Sequence, residues 1–187
     1  MSTDIYVLLT DTGTMFTKMI RTFTRDPLNH ASLSFDIHLT EVYSFGRKNP
    51  SNPFLAGFVK ENLRDHFFQN TNCAIYRCSL STEKYNSIRN EIFLFEQNQN
   101  RYRYNLLGIF GVLFNIEWQR DHAFFCSQFV ATVFERSGVS LVDKSPLLVK
   151  PGDLQHTTQL ELVYQGKLQS YMPYCEYKKI PSPFQTA

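Results

Sequence analysis

The spacing of apolar residues predicts an α+β fold in which an antiparallel sheet packs against helices. Short apolar or alternating segments bounded by turn residues are typical of strands, and they occur at residues 4–10, 30–36, 41–46, 73–80 and 160–171. Longer segments repeat their apolar residues every three or four positions, as amphipathic helices do. The chain has 187 residues, of which 43% are hydrophobic and 15% aromatic, and this predicts one domain over residues 1–187.

The N-terminal part of the chain predicts a strand followed by a helix. "DIYVLLT", residues 4–10, is typical of a short buried strand. "TGTMFTKMIRTFTR" favours a brief amphipathic helix, which Thr12 or Thr14 would cap and which would end before Pro27.

A β-hairpin is expected next. "HASLSFD" alternates polar His30, Ser32 and Ser34 with apolar residues, and "EVYSFG" follows after a short polar turn. This pattern predicts an antiparallel hairpin that begins at His30 and turns around residues 37–39.

The middle of the chain predicts a loop, a strand and two helices. Residues 48–72 contain two prolines and a glycine, which favours an ordered loop followed by a short helix or strand, and "CAIYRCSL" is typical of a strand. "STEKYNSIRNEIFLFEQNQ" predicts a helix with Ser81 or Thr82 as its N-cap. "YNLLGIFGVLF" predicts another, in which Gly108 and Gly111 permit close packing.

The segment "DHAFFCSQFVATVFERSGV" predicts a helix with a cysteine at its start. After Cys126 the apolar residues fall at helical spacing, at Phe129, Val130, Val133 and Phe134. The helix is expected to end near Gly138. Beyond it, "KPGDLQ" favours a turn or short helix, and two strands joined at "QGK" are predicted within residues 160–171.

Charge and hydropathy exclude several classes of protein. The net charge of +2 comes from 19 basic and 17 acidic residues that are mixed along the chain, which argues against nucleic acid as a partner. No apolar stretch approaches the roughly 20 residues of a transmembrane helix, so no transmembrane segment is expected. The N-terminus "MSTDIYVLLTDTG" lacks the features of a signal peptide, and we therefore expect a cytoplasmic location.

The cysteines are too sparse for a disulfide scaffold and show no paired spacing typical of a metal site. They are Cys73, Cys78, Cys126 and Cys175. Reduced thiols are therefore expected, and one of them is free to be reactive.

Cys126 is the candidate nucleophile because a helix N-terminus favours the thiolate form of a cysteine. A nearby imidazole would accept its proton, and His30 is the best candidate because its strand face carries only small serines beside it. The structural alternative is that Cys126 is a small core residue. A zinc site built on His122 and Cys126 lacks further ligands at suitable spacing, so neither a metal nor a cofactor is expected.

The combination of "NHASLSFD...EVYSFGR", "YRYNLLGIFG" and "FFCSQFVATVFERSGV" resembles the circularly permuted papain-fold thiol hydrolases. These are relatives of the NlpC-type cell-wall peptidases and of lecithin-retinol acyltransferase, and the similarity spans most of the chain. In that family a histidine begins a core strand and the cysteine nucleophile follows later at the start of a helix. His30 precedes Cys126 in this order.

The resemblance implies a papain-like fold and a hydrolase or acyltransferase that acts on amide or ester bonds. Cys126 would be the nucleophile, His30 the general base, and no cofactor would be needed. The substrate would be a small molecule, a peptide such as a muropeptide, or a lipid. The alternative is a non-catalytic ligand-binding relative that keeps the fold.

A third polar residue orients the histidine in that family. If the hairpin turns around residues 37–39, Phe45 and Gly46 lie opposite His30, and Ser44 takes the third position most naturally. Glu41 has the better chemistry but lies roughly 13 Å along the strand from that position.

We expect the segment "RKNPSNPFLAGF" to form a wall of the cleft. Arg47 would then lie near the mouth and contact an anionic group of the substrate. The alternative is a solvated or ion-paired arginine.

Overall fold

The computed structural model describes residues 2–11, 27–49, 52–65, 68 and 70–171. They form an α+β structure whose main sheet has six strands, each antiparallel to its neighbours, which confirms the predicted class. The helix predicted over residues 12–25 and Cys175 lie outside the described residues.

The main sheet has the strand order β4-β3-β2-β1-β5-β8, and a short parallel pair, β6 and β7, lies apart from it. The strands are β1 (Ser2–Asp11), β2 (His30–Ser34), β3 (Val42–Asn49), β4 (Asn52–Glu61), β5 (Asn72–Ser81), β6 (Arg103–Tyr104), β7 (Ala123–Phe124) and β8 (Glu161–Lys167). The helices are α1 (Thr82–Gln97), α2 (Leu106–Phe114), α3 (Cys126–Arg136) and α4 (Pro151–Gln155), with a 3₁₀ turn at Pro146–Leu148.

The predicted helices at 81–99, 104–114 and 126–138 are present. Ser81 caps α1, because its Oγ accepts a hydrogen bond from the Lys84 N–H at 3.3 Å. Within the described ranges, every helix is too short or too polar to cross a bilayer.

The structure corrects two predicted segments. The expected loop within residues 48–72 contains β4, which pairs along much of its length with β3 and forms the edge of the sheet. The two strands expected within residues 160–171 are one strand, β8, followed by a helical turn from Leu168. The "QGK" segment does not turn, because β8 continues to pair with β5 as far as Asn72 opposite Lys167.

A core of aromatic side chains holds α1 and α3 against one face of the sheet. Phe129 of α3 packs 5.3 Å from Phe45 of β3 and 5.1 Å from Phe95 of α1, measured between ring centroids. Residues 126–134 of α3 are all buried, and α3 contacts both β2 and β3. This packing determines where the first residue of α3 meets the beginning of β2.

Candidate active site

Cys126 is the first residue of α3, and it is only 4% exposed. The chain enters the helix in extended conformation at Phe125, whose N–H donates to the Gln128 side-chain oxygen at 3.3 Å. The exposed N–H groups and the dipole of a helix start stabilise negative charge on a thiol placed there. The predicted position of Cys126 at the helix N-terminus is therefore present in the structure.

His30 lies beside Cys126 because β2 begins where α3 begins. His30 pairs with Thr10 of β1 and is 8% exposed. The Cys126 thiol donates to the backbone carbonyl of Asn29, the residue before His30, at 4.0 Å. The His30 imidazole lies close enough to the thiol for each group to shift the pKa of the other. The structure thus brings together the two residues that the sequence singled out, although they are far apart along the chain.

Glu61, the last residue of β4, contacts the other side of the His30 ring. The distance from His30 Nε2 to Glu61 Oε1 is 2.7 Å, and both side chains are largely buried. Because Nε2 is hydrogen-bonded to the carboxylate, Nδ1 is the ring nitrogen that is left to exchange a proton with Cys126. The carboxylate is hydrogen-bonded to the imidazole, and the imidazole lies beside the thiol. A carboxylate in this position can orient a histidine and stabilise its positive charge.

Two serines hold the Glu61 carboxylate in place. The hydroxyl of Ser44 donates to Glu61 Oε1 at 2.7 Å, and the hydroxyl of Ser32 donates to Oε2 at 2.7 Å. Ser32 Oγ also lies 3.3 Å from His30 Nε2. Each carboxylate oxygen therefore has a partner, which offsets the cost of burying its charge.

The absence of a side chain at position 46 makes room for this cluster. The register pairs Leu33 with Tyr43, and continued along the strands it places Gly46 opposite His30, as the sequence predicts. A Cβ added to Gly46 would lie 3.5 Å from His30 Cε1 and 3.6 Å from Glu61 Oε1. Its tightest contact would be with Ser44 Oγ, at 3.3 Å, so a side chain here would crowd the hydroxyl that binds Glu61.

The ionisation of the cluster follows from its contacts. Burial opposes a charge on His30, but Glu61 and Cys126 outweigh it and raise the pKa of His30 to about 10. Burial likewise opposes ionisation of Cys126 and Glu61, yet the pKa of each is lowered, chiefly by His30. These pKa shifts favour a thiolate on Cys126, an imidazolium on His30 and a carboxylate on Glu61.

Ser44 and Glu41, the two candidates for the third residue, have different partners in the structure. Ser44 is in the site, but its hydroxyl binds Glu61, so its contribution to orienting His30 passes through that carboxylate. Glu41 points elsewhere, because its carboxylate forms a two-pronged ion pair with Arg89, at 2.8 Å for each contact, and accepts from the Tyr43 hydroxyl. The carboxylate beside His30 belongs to Glu61.

Arg47 follows Gly46 on β3, and strand alternation directs its side chain to the opposite face from Ser44. The residue is partly buried, and burial lowers the pKa of its guanidinium. The expected wall around it is the β3–β4 hairpin, which extends the main sheet. The contact of Arg47 with a substrate stays a prediction.

Tyr104 adds a hydroxyl to the site. The parallel pairing of Tyr104 with Phe124 and the hydrogen bond from Asn105 N to Phe124 O, at 2.9 Å, place β6 beside the entry to α3. The phenol hydrogen-bonds with both the side chain and the backbone of Cys126. Burial and the neighbouring Cys126 raise the pKa of Tyr104, so the phenol keeps its proton.

Sequence reasoning missed Glu61 and Tyr104 for different reasons. Glu61 is 31 residues from His30 and ends a segment that its prolines made look like a loop. The available signal was the β-forming pair Phe58 and Val59 in "AGFVKE", a segment that pairs with "VYSFGR" as an antiparallel partner. Tyr104 stands in the quoted "YRYNLLGIFG", but only the β6–β7 pairing reveals its contact with Cys126.

The other described cysteines differ from Cys126. Cys73 and Cys78 are free and buried, as Cys126 is, but burial raises their pKa values to about 12 and about 11. Neither stands at the start of a helix, since both lie within β5. Cys126 is thus set apart by its partners rather than by its exposure.

No family model matches this chain, and no curated protein matches its sequence. Its chemistry is therefore argued from the geometry of the site. A thiol with a lowered pKa, a positioned imidazole and a phenol beside a helix-start N–H can together support attack on a carbonyl carbon.

Proposed function

We propose that this protein is a cysteine-dependent hydrolase or acyltransferase that acts on an amide or ester bond. The observation that supports the proposal is the buried Glu61–His30 pair, at 2.7 Å, next to the Cys126 thiol at the start of α3. Maintaining such a cluster costs desolvation of its charges, and apolar residues of similar size would be less costly in a purely structural role. Perturbed pKa values of this kind are concentrated at functional sites.

The first step would be attack of the Cys126 thiolate on the substrate carbonyl carbon. A bond forms between Sγ and that carbon while the carbonyl electrons move to the oxygen. As the tetrahedral intermediate collapses, the bond to the amine or alcohol breaks, and the proton on His30 passes to this leaving group. The product is a thioester on Cys126, with His30 neutral.

The second step would release the acyl group. Neutral His30 takes a proton from water as its oxygen bonds to the thioester carbon, and the bond to Sγ then breaks to regenerate the thiolate and imidazolium. With an alcohol or amine in place of water, the same step is acyl transfer. Glu61 holds the ring in position and stabilises its positive charge throughout.

Stabilisation of the carbonyl oxyanion is assigned to the backbone N–H of Cys126, with the Tyr104 hydroxyl beside it as a second donor. The contacts of Tyr104 with the Cys126 side chain and backbone support this role. The donors are held rigidly by the β6–β7 pair, so little reorganisation is needed when the charge develops.

The finer fold assignment belongs to the same proposal. The order histidine, carboxylate, cysteine along the chain, with the histidine at the start of a strand and the cysteine at the start of a helix, is that of a permuted papain-like enzyme of the NlpC type. The resemblance leaves peptides, including muropeptides, and lipids as candidate substrates.

A second candidate is a non-catalytic ligand-binding protein that keeps the fold. The observation that favours it is the 4% exposure of Cys126, which leaves little of the residue open to a reagent. In that case the thiol would be inert despite its contacts.

Alkylation by iodoacetamide separates the two candidates. Between about pH 6 and pH 8, Cys126 should react at least about tenfold faster than Cys73 and Cys78, because its thiolate is stabilised and theirs are not. Peptide mass spectrometry assigns the sites, and Cys126→Ala should remove the fast label. The variant His30→Gln should slow the reaction, whereas Cys78→Ala should leave it unchanged.

Acylation tests the second half of the proposal. An activated ester such as p-nitrophenyl acetate should leave an acetyl group on Cys126 in the wild-type protein and not in Cys126→Ala. Equal alkylation of all the thiols, or fast alkylation without any acyl intermediate or turnover, would favour the binding protein.

A further inference from the structure

The solvent-facing side of α2 is apolar throughout. The sequence of this helix, "LLGIFGVLF", contains no polar or charged residue. Six large apolar residues on the helix and on the segment that follows it are exposed, and together they form the surface that we call the apolar platform: Leu106 (45%), Leu107 (41%), Phe110 (41%), Phe114 (72%), Ile116 (57%) and Trp118 (48%). An exposed apolar surface of this density is typical of an interaction site.

Hydrogen bonds and close packing hold the apolar platform together. Asn105 caps α2 by accepting from the Gly108 N–H at 2.9 Å, and its Nδ2 donates to the carbonyl of Trp118 at 3.4 Å. The Ile116 N–H donates to the Gly111 carbonyl at 2.8 Å, so the chain folds back along the helix. A Cβ added to Gly111 would lie 3.2 Å from Trp118 Cβ, which shows how closely the returning segment packs.

The apolar platform begins at the candidate active site. Tyr104 contacts Cys126, Asn105 follows it, and Leu106 starts both α2 and the platform. Because consecutive Cα atoms are about 3.8 Å apart, the Cα atom of Leu106 is within roughly 8 Å of the Cα atom of Tyr104. A body that covers the start of the platform therefore lies close to the Tyr104 backbone.

Charged residues flank the apolar platform. Arg101 and Arg103 precede it and Arg120 follows it, and all three are exposed. The hydrogen bonds from Arg103 N to His122 O, at 2.8 Å, and from Ala123 N to Arg120 O, at 3.3 Å, bring the two flanks together at one end. The acidic residues of this region are Glu117 and Asp121, which are also exposed, so the flanking charge is positive by one.

We propose that the apolar platform docks this protein on the surface of a lipid bilayer. Nine residues of α-helix extend about 14 Å, roughly half of the hydrocarbon thickness, so α2 would lie in the interface rather than cross it. Leucine and phenylalanine side chains would enter the acyl region, Trp118 would sit at the headgroup level, and the flanking arginines would face anionic headgroups.

A bilayer accounts for this surface better than a protein partner does. The apolar side chains of α2 are flanked by a charged rim in which three arginines outnumber two acidic residues, and this order of polarity matches that of a membrane surface. The platform also begins two residues after Tyr104, which contacts Cys126, so docking would hold acyl esters or amides of lipids near the site. This choice of substrate class rests on the proposed function, whereas docking itself does not.

Trp118 is the only tryptophan of the chain, so its fluorescence reports on the platform directly. Titration of the full-length protein with vesicles of phosphatidylcholine containing phosphatidylglycerol should shift its emission to shorter wavelength. Brominated acyl chains should quench the emission, because the indole lies within reach of the acyl region. Vesicles of phosphatidylcholine alone should bind more weakly, by a few-fold.

A pair of matched variants locates the binding surface. The double substitution Phe110→Ser and Phe114→Ser should lower the vesicle partition coefficient by about tenfold or more, since two large apolar side chains are removed from the contact. The control is Phe93→Ser with Leu94→Ser, because these residues of α1 are similarly exposed, at 57% and 51%. This control should bind vesicles as the wild type does, and circular dichroism should show all of these variants folded.

The proposal is overturned if vesicles leave the emission of Trp118 unchanged or if the control pair weakens binding as much as the platform pair. It is also overturned if the emission shifts with protein concentration in the absence of lipid, because a second copy of the chain would then cover the surface. The variant Cys126→Ala should retain vesicle binding. Failure of docking with fast alkylation of Cys126 preserved would reject the surface and leave the proposed function intact.

Discussion

Two glutamates near the β2–β4 region, Glu41 and Glu61, have different partners and therefore different chemistry. Glu41 pairs with Arg89 at the surface, where the two side chains are 27% and 42% exposed. Glu61 pairs with His30 at 2.7 Å, with its side chain 8% exposed. Burial opposes ionisation of both carboxyls, but Arg89 lowers the pKa of Glu41 and His30 lowers the pKa of Glu61.

The two pairs differ in whether the cationic partner can lose its proton near neutral pH. Arg89 stays charged at any ordinary pH, and its guanidinium also stacks on Phe35, 4.1 Å from the ring centroid, so the Glu41 pair only holds α1 to the sheet. His30 gains and loses its proton, and the charge of Glu61 biases that equilibrium next to a thiol. Of the two carboxylates, Glu61 is the one whose charge acts on a titratable partner beside a thiol.

The strongest test of this comparison exchanges each carboxylate for an amide. Glu61→Gln should slow alkylation of Cys126 at about pH 7 roughly a hundredfold, because an amide keeps a hydrogen bond to His30 but not the negative charge that stabilises the imidazolium. Glu41→Gln should change the rate by less than about twofold. Rates are measured with iodoacetamide under pseudo-first-order conditions, and equal effects of the two substitutions would contradict the comparison.

A pH titration of stability tests the Glu61–His30 pair in the absence of the thiol. In Cys126→Ala, Glu61 still raises the pKa of His30 above its unfolded value of 6.5. Folding then takes up a proton, so the contribution is complete below pH 6.5 and is lost as the pH rises through the pKa that His30 has in the folded variant. That pKa lies below the wild-type value of about 10, because the contributions of Cys126 are gone. The free energy of unfolding should fall by up to about 1.4 kcal/mol per pH unit in that window.

Urea unfolding at several pH values measures this slope. The control is the double variant Cys126→Ala with His30→Gln, in which the slope over the same window should be much smaller. A Cys126→Ala slope no steeper than that of the control would mean that His30 is not charged in the folded protein at neutral pH.

The smallest expected effect comes from removing one hydroxyl beside each carboxylate. Ser44→Ala should slow alkylation of Cys126 about three- to tenfold, because Glu61 keeps its contacts with Ser32 and His30. Tyr43→Phe removes the hydroxyl that donates to Glu41 and should leave the rate unchanged. Loss of reactivity in Ser44→Ala as complete as in His30→Gln would assign Ser44 a direct role.

Local pattern predicted the parts of this protein that depend on near neighbours. The alternation in "HASLSFD" and "EVYSFG" predicted an antiparallel hairpin with Phe45 and Gly46 about opposite His30, and the structure pairs Leu33 with Tyr43 in agreement with that register. The periodicity after Cys126 predicted a helix that begins at this residue. The candidate pair Cys126 and His30 followed from these two elements and from the family resemblance.

The tertiary structure decided which groups complete the pair. Glu61 reaches His30 because β4 forms the edge strand beside β3, and Tyr104 reaches Cys126 because β6 pairs with β7. Glu41 is nearer than Glu61 to His30 along the chain, but α1 packs so that Arg89 forms an ion pair with Glu41. Sequence by itself therefore determined the fold class, the hairpin and the helix that carries the thiol. The partners of the imidazole and the exposure of the apolar platform depended on contacts between distant segments, because no local pattern encodes the geometry of such contacts.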